Sequence, residues 1–67
     1  MTEVQLDRYR DGETTVNVMV EVTTDGRRGR RATEGTRVFP DGRRERIVGP
    51  ALEQFLVAHQ GQGRRVV

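Results

Sequence analysis

Thr15-Val16-Asn17-Val18-Met19-Val20-Glu21-Val22-Thr23 is the stretch on which the fold turns. Valine takes every second position from 16 to 22, and Asn17, Met19 and Glu21 fall between. A period of two puts the four valines on one side of an extended chain, and their β-branched side chains favour that conformation. The spacing predicts a strand over residues 14–23 with a buried valine face.

On either side of this strand, and once more further on, stand similar turn signals: Arg10-Asp11-Gly12, Thr24-Asp25-Gly26 and Pro40-Asp41-Gly42. Each ends in Asp-Gly, which suits a three-residue hairpin loop because glycine enters the left-handed region without steric cost. Strands are therefore expected at residues 3–9, 30–39 and 43–48 as well. For the first hairpin, a two-residue Asp11-Gly12 loop would set Leu6 opposite Asn17. A three-residue loop sets Leu6 opposite Val16 and Val4 opposite Val18, so the apolar pattern favours the longer loop. In the third strand Ala32, Thr36 and Val38 share a face that Glu34 interrupts, with Gly35 as the expected site of a bulge. Pro40-Asp41-Gly42 as a three-residue loop sets Phe39 opposite Arg43, Arg37 opposite Glu45 and Gly35 opposite Ile47.

Beyond residue 48 the period changes. Gly49-Pro50 opens a helix expected over residues 50–60, since proline suits the first helical position and Leu52, Phe55, Leu56 and His59 recur at helical spacing. Gly61 is a natural stop, and residues 61–67 read as a flexible tail whose Val66-Val67 end has the alternative of adding a short strand to the open edge of a neighbouring molecule. The expected fold is α+β. A four-stranded antiparallel β-meander carries one C-terminal α-helix on its valine face, residues 1–60 form a single domain, and the opposite sheet face is left to solvent or a partner.

A chain of 67 residues that is 33% hydrophobic, with Tyr9, Phe39 and Phe55 as its aromatics, builds only a small core, so a homo-oligomer is expected. The absence of cysteine removes disulfides and thiolate metal sites and points to a reducing, cytoplasmic setting. No apolar run approaches the roughly 20 residues of a membrane span, and none resembles a signal peptide, so no membrane association is expected.

Catalytic candidates are few. One histidine with no serine and no cysteine removes the common nucleophile and base pairs, so a non-enzymatic protein is expected. His59 reads as a packing residue of the last helical turn. The carboxylates Asp7, Asp11, Glu13 and Glu21 lack calcium-loop spacing or a second histidine, so neither a metal nor a cofactor is expected. Gly61-Gln62-Gly63 opens no helix and so lacks the context of a phosphate-binding loop.

Charge carries the functional reading. All twelve basic residues are arginine, which a GC-rich codon supply also produces, so position says more than number. Residues 1–26 hold two arginines against six acids, and residues 27–46 hold eight against three, for net charges of −4 and +5. An acidic first hairpin beside a basic second one is the expectation. Arg27, Arg28, Arg30 and Arg31, with Arg43, Arg44 and Arg46, are the candidate phosphate ligands, because forked guanidinium groups bridge phosphate oxygens. The two clusters need not merge, since they fall at opposite ends of the third strand. Nucleic acid is the favoured ligand; the alternative is a protein-binding or assembly module, such as a small inhibitor or structural subunit, that uses the open sheet face and edges.

Overall fold

In the computed structural model the described residues are 2–23 and 29–66, without the side chain of Arg65. The elements run β1 (Thr2–Asp11), β2 (Thr14–Thr23), β3 (Arg30–Val38), β4 (Arg44–Ile47), α1 (Pro50–Ala58) and β5 (Arg64–Arg65). They form one open antiparallel sheet in the order β4-β3-β2-β1-β5. The four-stranded meander and its C-terminal helix stand as the sequence predicts. The segment read as a flexible tail adds the fifth, two-residue strand at the β1 edge.

The valine face is the inner one. Val16, Val18 and Val20 are buried with Ile47, Leu52 and Phe55, and Tyr9, Val22, Ala32 and Leu56 pack around them. Gly49 has φ 62° and its carbonyl accepts from the Leu52 and Glu53 N–H groups, so it ends β4 and starts α1 in one step. Pro50 follows at the head of the helix, where its missing N–H costs nothing. The helix ends at Ala58, two residues earlier than expected, and Gly61 at φ 81° turns the chain back toward β1.

The first hairpin departs from the expected register. Its loop is Gly12-Glu13, and Asp11 pairs with Thr14, Tyr9 with Val16, Asp7 with Val18, Gln5 with Val20 and Leu6 with Met19. Gly12 supplies φ 61° at the first central position, which fits the tight two-residue turn that matches strand twist. The slip turns Val4 and Leu6 away from the helix and puts Gln5, Asp7 and Tyr9 on the inner face. Polar and aromatic partners take the place of the forgone apolar pairings there. Asp7 accepts from Arg30 Nη2 at 2.7 Å, Asp11 accepts from Arg37 Nη1 at 2.7 Å, and the Tyr9 ring meets Phe55 edge-on.

The second hairpin keeps its expected register, with Gly35 opposite Ile47 and Arg37 opposite Glu45. Phe39 N–H donates to Arg43 O at 2.9 Å and Gly42 takes φ 91°, closing the Pro40-Asp41-Gly42 loop. The bulge in β3 falls at Thr33 rather than Gly35, because Met19 pairs with Glu34 and Val20 with Ala32. It therefore separates Ala32, on the helix side, from Thr36 and Val38, on the open side. The Thr24-Asp25-Gly26 turn lies outside the described residues.

Candidate functional site

Strand alternation and the observed register together assign each charged residue to a face. On the helix side β1 presents Asp7 and Asp11, and on the open side it presents Arg8 and Arg10. Asp7 and Asp11 are thus confined to one surface, while Glu21 of β2 falls on the other. Both aspartates are taken up on the helix side: Arg30 holds Asp7, and Arg37 holds Asp11 while also donating to Thr14 Oγ1 at 2.8 Å.

Reading across the open face, one row runs Arg64, Arg8, Asn17, Thr36, Arg46, and the next runs Arg10, Thr15, Val38, Arg44. Both rows end in arginine at each side. Arg8, Arg10 and Arg64 line one edge and Arg44 and Arg46 the other, with uncharged Thr15, Asn17, Thr36 and Val38 between. Three strand spacings of about 4.8 Å place Arg8 and Arg10 roughly 14 Å from Arg46 and Arg44 at the backbone, and Arg64 stands one spacing further out. Glu34 reaches Arg46 at 3.2 Å and Glu21 lies opposite Arg31; these are the acids on this face among the described residues.

The residues expected to bind phosphate are divided by this geometry. Arg31, Arg44 and Arg46 belong to the open face, with Arg31 toward the end of β3 remote from Arg44. Arg30 points to the helix side and is held by Asp7. Arg43 sits in the turn, bound to Asp41 at 2.8 Å and stacked over the Phe39 ring at 4.5 Å. Arg27 and Arg28 lie outside the described residues. Arg8, Arg10 and Arg64 were missed by sequence reasoning. Their signal was the alternation Asp7-Arg8, Arg10-Asp11, which becomes a sorting of charge by face only once the helix side of β1 is known.

The helix side carries a second polar group. His59 caps α1 with Nδ1 2.8 Å from Phe55 O, stacks on the Phe55 ring at 4.0 Å, and brings Nε2 to 3.5 Å from Asp11 Oδ1. The Arg37 hydrogen bond, helped by its charge and by His59, holds the Asp11 carboxyl below the usual carboxylate range despite partial desolvation. Burial, reinforced by the Asp7 charge and opposed by Arg30, raises the Tyr9 hydroxyl above its ordinary value. These contacts tie the helix end to the first hairpin, and the Thr14 hydroxyl is itself occupied, donating to Asp11 O at 2.6 Å. Among the described residues no group of three or more His, Cys, Asp or Glu is placed to hold a metal ion.

No helix among the described residues is long and apolar enough to cross a membrane. The chain matches no known family model, no curated protein and no solved structure, so the arrangement of its own side chains is the guide to what it does.

Proposed function

We propose that the protein is a small, non-enzymatic, cytoplasmic binding module, assembled as a homo-oligomer, whose favoured ligand is nucleic acid held by its phosphates. The observation that carries this reading is the pair of arginine rails bordering an uncharged strip on one open sheet face. Arg31, Arg44 and Arg46 from the second hairpin act there with Arg8, Arg10 and Arg64. Arg30, on the helix side, and Arg43, in the turn, lie off this face and are each held by a carboxylate, so they contribute less; Arg46 pairs with Glu34 at the longer 3.2 Å, and Arg27 and Arg28 join the proposal on sequence alone.

Two features favour a duplex over a single strand. A separation of roughly 14 Å is close to the major-groove width of about 12 Å, so the rails suit the two phosphate strands that border one groove. The open face also offers no base a stacking platform. Tyr9 and Phe55 pack on each other on the helix side, and Phe39 lies beneath Arg43 at the turn. The small core, six buried apolar residues among those described, supports the homo-oligomer.

The test is salt-dependent binding of a short duplex followed by fluorescence anisotropy. Replacing Arg8 and Arg10 by alanine should lower the slope of log K against log salt by about 0.9 for each phosphate that is no longer neutralised, and replacing Arg44 and Arg46 should do the same from the other rail. Binding that is undetectable at low salt, or that neither double variant changes, would overturn the reading.

A protein partner is the second reading, favoured by one observation. Val4, Met19 and Val66 are 58%, 43% and 44% exposed and share one end of the open face with Leu6. A stoichiometric protein complex that fails to form in Val4→Asp and Met19→Asp variants would favour it, and a monomer that still binds duplex would count against it.

A further inference from the structure

The last strand is the least secured element. β5 has two residues, and its docking rests on one backbone bond beyond the ladder, from Val66 N–H to Leu6 O at 2.7 Å. Gly63 guides the chain there by passing over the Tyr9 ring, where a Cβ would come within 2.6 Å of the hydroxyl. Docking then creates an electrostatic problem. The register sets Arg64 directly opposite Arg8, with Arg10 two residues along on the same face. Like charges directly opposite across a sheet destabilise the pairing.

The charges there lack internal compensation. Arg8, Arg10, Gln62, Arg64 and Val66 line a single recess between β1 and β5. Among the described residues neither Arg10 nor Arg64 has a carboxylate partner, and Arg8 reaches only the Asn17 amide oxygen, at 3.5 Å from Nε. Elsewhere Arg30 is matched with Asp7, Arg37 with Asp11, Arg43 with Asp41 and Arg46 with Glu34, whereas Arg31 and Arg44 have no ion pair among the described residues but do not face another arginine across the sheet.

We propose that this recess is a phosphate-binding site, that Arg8, Arg10 and Arg64 grip one phosphate group with the Gln62 amide as a further donor, and that its occupancy fastens β5 to β1. The inference rests on the proposed function in taking a nucleic-acid phosphodiester as the occupant; a free phosphate shares the same chemistry. Guanidinium forks match phosphate oxygens, and the anion converts three repelling charges into three shared partners. Because the complete site exists only with β5 in place, ligand and docking must favour each other equally.

The test uses the full chain at low salt and reads hydrogen exchange at the Val66 amide by NMR, with inorganic phosphate in one arm and a short duplex in the other. Saturating ligand should slow Val66 exchange on the order of tenfold, within the usual range for coupled sites. Arg64→Gln should slow that exchange without ligand, because the repulsion is gone, and should abolish the further response to either anion. Duplex binding that leaves Val66 exchange unchanged would overturn the inference while sparing the proposed function. A response to phosphate without any duplex binding would uphold the site and overturn the proposed function. No response to either anion would overturn the inference outright.

Discussion

Gly35 shows how a single position reports on the helix above it. It sits opposite Val18 on the inner face, and a Cβ built there would lie 3.1 Å from Leu52 Cδ1 and 3.5 Å from Ile47 Cβ. The missing side chain lets α1 lie close to β3. Gly35→Val adds a residue that strands ordinarily favour, so intrinsic propensity argues for stabilisation. Overpacking against Leu52 should win and cost about 1–3 kcal/mol, read as a lower urea midpoint. Asp11 tests a different interaction. Its carboxyl titrates below the ordinary 3.8 because Arg37 donates to it. A lowered folded value means the stabilisation is whole above 3.8 and disappears as pH falls through the lowered value. Urea midpoints taken from about pH 5 down to pH 2 should fall more steeply in the wild type than in Asp11→Asn, which lacks that carboxylate.

At the scale of elements, the β1–β2 register decides which side of the first hairpin meets the helix, and it can be read chemically because the sequence has no cysteine. Residues directly opposite in an antiparallel pair have Cα atoms about 4.5–5.5 Å apart, within disulfide range. A Leu6→Cys, Met19→Cys double variant should therefore close an internal disulfide on mild oxidation, seen as a faster-migrating non-reduced species. Leu6→Cys with Val16→Cys should not, since those side chains face opposite sides of the sheet. The strand of alternating valines, the Pro40-Asp41-Gly42 turn and the Gly49-Pro50 helix start were legible because each depends on local chemistry: periodicity, positive φ at glycine and proline at a helix head. The first register was not legible, because it is settled by partners 23 and 26 residues away, Arg30 for Asp7 and Arg37 for Asp11. Apolar matching of Val4 and Leu6 with the valines could not see them. The consequence reaches the site, since shifting β1 by one face turns Arg8 and Arg10 toward the helix side and puts Asp7 and Asp11 on the open face. The pairing of β5 was hidden for a related reason, as no hydrophobic pattern marks Arg64-Arg65 as a strand.

Across the whole molecule, charge is sorted by surface more than by segment. The net charge of +2 understates the field on the open side, because most acids of the strands face the helix side, where Asp7 and Asp11 are matched locally, while Arg8, Arg10 and Arg64 have no carboxylate partner among the described residues. The two uses open to such a face, holding a polyanion and assembling copies of the chain, differ in what should stabilise the fold. A ligand that binds only the folded form at 100 times its Kd contributes about 2.7 kcal/mol. In a domain this small each kcal/mol moves the melting temperature by roughly 4–8 °C. Thermal unfolding with saturating duplex at low salt should therefore shift upward by roughly 10–20 °C, and raised salt should erase the shift because it weakens the hold of arginine on phosphate. If the arginines serve assembly instead, the melting temperature should stay indifferent to duplex, and raised salt should weaken its climb with protein concentration. Running both titrations on the Arg8→Ala, Arg10→Ala variant assigns the effect, since one rail removed should reduce whichever of the two responses depends on this face.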